Sequence, residues 1–382
     1  MGKHCIKIVS CSKIVLVGLL LHQLHAFRLQ CRLFPELCAL ENWNPSEEGY
    51  FVLNYLPKSL HMLKMNNLIV PCIDGTFLSE ASRSLRGIIV DKSSAVKSLF
   101  VSKNSTIKII KIIETQLSKL HFERNYALQQ VLIAKCTLKE IPASVHNLIN
   151  LESFTIGEAF IMTVDLNYFI GLACLNTLQV EMNSVNSVIG LMLQTNSTDL
   201  TTLKLWYNQL TTFQFDLVKP FQKLHTLNIA HNVIRSVVGN LTNQSLRYFA
   251  IQHNLVSKLD FCTWNQIVSL EWLRIGHNRL RYVPSCLTTF PNVTLLDLSF
   301  NWINHVQMHM FVGLNNLKDL YLGGNKLTSF EFGTDIVLPN LVQLRLQKTC
   351  LCRFNELEAV QERMPKMNII FIDFYGENCN DC

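Results

Sequence analysis

Charged residues are scarce in this chain. Only 16% are Asp, Glu, Lys or Arg, while 49% are hydrophobic. Polarity comes instead from Asn, Ser, Thr and Gln. That balance argues against disorder, which needs high charge and few apolar residues. It also argues against a nucleic-acid-binding domain, which would show dense Lys/Arg patches. No apolar run reaches the roughly 18 residues that span a bilayer as a helix. A phosphate loop, an HExxH motif and a plausible nucleophile–base pairing are all missing, so the motifs give no reason to expect an enzyme or a cofactor. A length of 382 residues suggests two or three globular domains, unless the fold is a repeat array.

The first 26 residues contain no acid. They carry Lys3, Lys7 and Lys13, and an apolar run from Ile14 to Leu21. This reads as a secretory signal peptide cut near Ala26, although Leu24 is large for a position that prefers small residues. The mature chain is therefore expected to be secreted and extracellular, with no membrane span. Without those lysines the formal charge falls from +6 to +3, so no strong electrostatic partner is implied.

What the chain has in abundance is a rhythm. The frame L-x-x-L-x-L-x-x-N-x-L fits LTTLKLWYNQL from Leu200, LHTLNIAHNVI from Leu224, LRYFAIQHNLV from Leu246 and LEWLRIGHNRL from Leu270. It fits again from Val293, Leu317 and Leu175, and from Leu341 with Thr349 in the Asn slot. Copies from Leu128 and Leu151 lack only the Asn, and weaker copies start at Leu60, Leu85 and Ile107. Starts are spaced 21 to 25 residues apart throughout. That period belongs to leucine-rich repeats. The expected fold is an α/β leucine-rich-repeat solenoid of horseshoe form, with a parallel sheet on its concave face and about 12–13 repeats. The expected domains are a signal peptide (1–26), an N-terminal cap (27–59), the solenoid (60–349) and a C-terminal cysteine cap (350–382).

An Asn just past a strand can both donate and accept hydrogen bonds. Asn183, Asn208, Asn232, Asn254, Asn278, Asn301 and Asn325 are therefore expected to form a buried ladder that ties consecutive turns together. Upstream, Leu68, Ser93, Thr115, Cys136 and Ala159 take that slot, so the N-terminal half is expected to be less regular.

Of 13 cysteines, Cys5 and Cys11 fall in the leader, which leaves an odd number. Cys31 and Cys38 are expected to staple the N-terminal cap, with Cys38–Cys72 as the alternative. Cys262 and Cys286 occupy equivalent positions on adjacent turns, within disulfide reach. Cys350–Cys379 with Cys352–Cys382 is the favoured closure of the other end, around a helix capped by Asn355, and other connectivities stay open. Cys136 reads as a structural thiol. Cys72 and Cys174 are left over and are compatible with a disulfide-linked oligomer. A non-covalent oligomer is left open as well. Glycosylation sequons lie at Asn104, Asn196, Asn240, Asn243 and Asn292, all on the return path between strands.

Residues between the leucines of each strand point to the concave side. From Leu200 onward this face collects Trp206, Tyr207, Tyr248, Trp272, Arg274, Asp297, Phe300, Tyr321 and Arg345. Aromatics and Arg are the usual interface anchors, so these are the candidate partner-binding residues. Arg274 and Asp297 are expected to pair. Earlier copies offer mostly small residues such as Ser153, Thr155, Gly157 and Thr177. His231, His253 and His277 share one column just before the Asn slot. They read as half-exposed strand-end residues rather than a metal site, so no metal is expected.

With these features the chain resembles the secreted leucine-rich-repeat proteins of animals, over roughly residues 60 to 382. The His-Asn flavour of its repeats, its expected secretion and its cysteine-closed ends resemble the leucine-rich immune proteins of mosquitoes, and more distantly Toll-type receptor ectodomains. Those immune proteins often carry a C-terminal coiled coil, which this sequence lacks, so it resembles a coil-less member. The resemblance implies innate immunity through binding of another protein or a microbial surface. An extracellular adhesion or matrix protein, or a soluble receptor-like decoy, is the alternative.

Overall fold

The computed structural model describes residues 16–17, 27–33, 36–190, 198–333, 336, 338–349, 351, 362 and 367–370. Asn196, the helix expected after Asn355, and the pairs expected from Cys350, Cys352, Cys379 and Cys382 lie outside the described residues, as does nearly all of the expected signal peptide. The chain forms two compact units, Met1–Val185 and Asn186–Cys382.

The first unit opens with an antiparallel hairpin of β1 (Arg28–Leu33) and β2 (Glu36–Glu41), in which Cys31 and Cys38 face each other and are disulfide-bonded. From β2 the sheet is parallel. It continues through β3 (Met62–Asn66), β4 (Gly87–Ser93), β5 (Ile109–Thr115), β6 (Gln130–Ala134), β7 (Ser153–Gly157) and β8 (Thr177–Glu181). Each strand is one repeat, and each repeat pairs with the next.

The second unit repeats the scheme with β9 (Thr202–Lys204), β10 (Thr226–Asn228), β11 (Tyr248–Ala250), β12 (Trp272–Arg274), β13 (Leu295–Asp297), β14 (Asp319–Tyr321), β15 (Gln343–Arg345) and β16 (Asn368–Ile370). Neighbours pair in parallel and in register throughout. Both units are leucine-rich-repeat solenoids: a long parallel sheet with few helices.

A repeat this short leaves little room for a return helix. The chain comes back through short strands such as Ser98–Val101, 3-10 turns such as Leu166–Phe169 and Met308–Phe311, and an α-helix over Gly75–Ser82. Phe169 and Phe311 end those turns fully buried, followed by the buried pairs Leu172 and Leu175, and Leu314 and Leu317. The strand leucines are equally enclosed: Leu200, Leu203 and Leu205 are all 0% exposed. Each such side chain contributes about 1.5–3 kcal/mol by burial, but only because the adjacent turn covers it.

The Asn ladder closes each turn from inside. Asn232 Nδ2 donates to the Leu205 carbonyl of the preceding turn (2.9 Å) and to Ile229 of its own (3.1 Å), while its Oδ1 accepts from the Leu210 N–H (3.0 Å). Asn254, Asn278, Asn301 and Asn325 repeat this pattern one turn later each. Asn208 donates to the carbonyls of Leu205 and Trp206. In the first unit Asn183 bonds Ile156, Ala159 and Ile161 in the same way.

The expected irregularity of the N-terminal half is not found. Its strands are the longer ones, five to seven residues from β3 to β8, against three from β9 to β16. Two causes account for this. Runs such as GIIVDKS and IIKIIET are rich in β-branched residues, which favour extended backbone. Hydroxyls also replace the amide: Ser93 Oγ accepts from the Leu68 N–H at 2.9 Å and donates to Asp91 O at 2.8 Å, and Thr115 Oγ1 accepts from Leu117. Leu68 itself is 0% exposed and simply joins the core.

Candidate functional site

In the second unit, strand register sets two rows on the open face of the sheet. One runs Tyr248, Trp272, Leu295, Asp319, Gln343, and the other runs Ala250, Arg274, Asp297, Tyr321, Arg345. Tyr248 and Trp272 meet edge to face at 5.9 Å, and the Arg274 guanidinium lies over both rings at 5.7 and 5.5 Å. Arg345 lies over Tyr321 at 4.2 Å. Trp206 and Tyr207 form a third contact at 5.0 Å. Burial, followed by the charge of Asp319, pushes the Tyr321 phenol above its ordinary range, so it stays a hydrogen-bond donor.

Arg274 and Asp297 are register partners but do not form an ion pair among the described residues. The aromatic rings hold the guanidinium. Asp297 instead accepts from the N–H (3.0 Å) and Oγ (2.5 Å) of Ser299, turning its carboxylate back along its own strand end.

Phe300 and Tyr207 belong to a separate feature at the rim. Every repeat ends its strand with a residue in the left-handed region, from Asn67 (φ 51°) through Tyr207, His231, His253, His277 and Phe300 to Lys348 (φ 56°). Few L-residues adopt this conformation, and His is among those enriched in it. In the second unit these residues stack their rings: Tyr207 on His231 at 4.0 Å, His231 on His253 at 4.0 Å, His253 on His277 at 3.9 Å, His277 on Phe300 at 4.2 Å, all within 15° of parallel. Gly324 follows Phe300 (φ 68°), and a Cβ there would stand 2.5 Å from the Phe300 ring. Burial lowers the pKa of all three histidines, and that of His253 falls to about 4 with help from its neighbours His277 and His231. They stack as neutral rings.

Between the charged row and the ring stack runs a column of Ala230, Gln252, Gly276, Ser299 and Gly323, mostly small residues. The space above its glycines is taken by neighbouring side chains: a Cβ on Gly276 would stand 3.0 Å from Asp297 Oδ1, and one on Gly323 would stand 3.0 Å from Gln347 Cδ. The Oε1 atoms of Gln252 and Gln347 and the Nε of Arg345 are shielded from solvent yet make no hydrogen bond. Sequence reading missed this column, because small residues carry no signal until a register sets them side by side.

In the first unit the equivalent row is Lys64, Ile89, Lys111, Leu132, Thr155 and Gln179, with Lys64 bonded to Asp91 at 2.7 Å. It carries no aromatic residue. Asn104, Asn240 and Asn292 are exposed on the return path. Asn243 is not available there: it is 2% exposed, and its Nδ2 donates to the Phe221 carbonyl. That buried bond takes the nitrogen a glycan would need. Asp260, Cys262 and Cys286 lie close together, but Cys262 and Cys286 are disulfide-bonded and have no thiolate to offer a metal.

The family model for the leucine-rich repeat matches residues 291–351. The chain has the leucine-rich-repeat fold. Mouse (Mus musculus) podocan-like protein 1 is 34% identical to it over 44% of this chain and 29% of the relative. Osteomodulin of Bos taurus is 29% identical over 52% of this chain and 45% of the relative. The chain thus spans less than half the length of these relatives. Among solved structures, a leucine-rich-repeat protein of Leptospira interrogans superposes with a TM-score of 0.58 at 20% identity, covering 87% of this chain and 89% of the other. The LRIM1/APL1C complex gives 0.59 at 17% identity, covering 74% of this leucine-rich-repeat chain and 53% of the other.

Proposed function

We infer that this is a secreted, non-enzymatic recognition protein that binds another protein or a microbial surface through the strand face of its second unit, in innate immunity. The Tyr248–Trp272–Arg274 cluster carries this reading. It gathers two aromatics and an Arg on one sheet surface. Aromatics and Arg dominate interface hot spots. The immune reading rests on the resemblance of the repeats to leucine-rich immune proteins; the LRIM1/APL1C complex shares the fold. The likeness to podocan-like protein 1 and osteomodulin favours a second reading, an extracellular adhesion or matrix protein.

The test is capture from extracellular fluid with the whole chain as bait. Tyr248→Ala with Trp272→Ala should weaken the principal association at least tenfold while leaving the melting transition intact. Capture at wild-type strength would remove the strand face as the contact site. A soluble body-fluid partner or a microbe supports the immune reading, and a fibrous matrix component supports the second.

A further inference from the structure

Behind the ladder, the chain leaves each strand along a flank that the strand-face reading does not use. In the second unit this flank carries Arg235, Arg279, Arg281 and Lys326, all exposed. Arg279 lies 5.7 Å and Lys326 5.8 Å from the ring of Trp302, one reaching it from the preceding turn and one from the following turn. Tyr282 stands beside them, 75% exposed, the most open of the large hydrophobic side chains among the described residues. Two adjoining depressions, of about 480 and 390 Å³, share Arg281 and Trp302, and no acidic residue lines either of them. None of the four cations forms an ion pair among the described residues, although Lys64, Arg83, Lys219, Lys223 and Arg247 all do.

We propose that this flank is a binding site for a linear sulfated polysaccharide. Four unpaired cations without a carboxylate form an anion site whose charge is not neutralised from within. Arg and Lys are held apart by Trp302, so their heads are positioned before a ligand arrives. The cations span turns that start from Leu224 to Leu317, and with neighbouring strands about 4.8 Å apart they form an extended track, not a point. The depressions are open, which suits a chain passing across them better than a small molecule enclosed within. Tyr282 offers its free ring face to the C–H face of a sugar. Single-stranded nucleic acid would need a succession of free rings for its bases. Trp302 is occupied by cations, and Tyr282 alone is no such succession.

The probe is heparin, compared with chemically desulfated heparin of the same length, an oligothymidylate, and vesicles containing an anionic phospholipid. Heparin should bind with an affinity that falls steeply with salt, as polyanion binding through counterion release does. Desulfation should weaken it at least tenfold. Arg279→Gln with Arg281→Gln should weaken it about tenfold, equivalent to about 1.4 kcal/mol, and flatten the salt dependence. The control pair Lys223→Gln with Lys318→Gln should leave it unchanged. Trp302 acts as a positioning residue: Trp302→Ala should lower affinity while Trp302→Phe restores most of it. Tyr248→Ala with Trp272→Ala should not change heparin binding, which separates this site from the strand face. Equal binding of desulfated heparin, tighter binding of the oligonucleotide or vesicles, or full binding by the Arg279/Arg281 variant in a folded protein would overturn the proposal.

Discussion

At the scale of single residues, an amide side chain does what no other residue of its size can, because it donates and accepts within one small planar group. Asn278 bonds the Ile251 carbonyl and the Val256 N–H of the preceding turn. Asn278→Ala would strand both in a dry interior, and we expect a loss of about 1–3 kcal/mol, read from the urea midpoint at unchanged slope. The slot was legible in the sequence because the frame repeats. The Ser93 and Thr115 solutions were only half legible: the hydroxyls were visible, but their ability to support longer strands was not, since that depends on the β-branched residues around them. Asn243 shows the opposite limit. Its sequon is plain in the sequence, whereas its burial depends on the return path of a neighbouring turn.

At the scale of elements, the rim stack is a column built from one residue per turn. The histidines were legible as a column but not as a stack, since face-to-face geometry follows from the shared left-handed backbone. The pH consequence has a definite sign. The folded state holds these histidines neutral, with pKa values lowered from 6.5 and, for His253, reaching about 4. The unfolded chain therefore binds more protons between those values, and stability rises with pH across that window. We expect the melting temperature to be constant above about pH 7 and to drop as pH falls from 6.5 toward 4. His253→Phe, which keeps an aromatic ring where Tyr207 and Phe300 already occupy the same column, should show a shallower drop. Superimposable pH profiles for the two proteins would exclude the stack as the source.

At the scale of the whole molecule, period and composition made the architecture legible, while its working surfaces were legible only in part. A modest net charge of +6 concealed four unpaired cations on one flank, because the same sum results whether charges are scattered or gathered. The columns that gather them lie nine and eleven residues after each repeat's first leucine, outside the strand positions. Cysteine counting fared better: Cys31–Cys38 and Cys262–Cys286 are bonded, and Cys136 is a buried thiol whose pKa burial raises. Cys174 is a free, exposed thiol and Cys72 a free, half-exposed one. If a covalent dimer forms, Cys174 is the better placed. Non-reducing electrophoresis should then show a dimer band that Cys174→Ser abolishes and Cys72→Ser does not.

The bond between Cys262 and Cys286 also acts on the opposite side of the coil. It ties the return path behind β11 to the one behind β12, the two strands that present Tyr248, Trp272 and Arg274. Those two turns cannot drift apart, so the gap between the rings is set before any partner arrives. For the partner proposed above this would be a preorganised surface, with the entropy of fixing it settled during folding rather than at the moment of encounter.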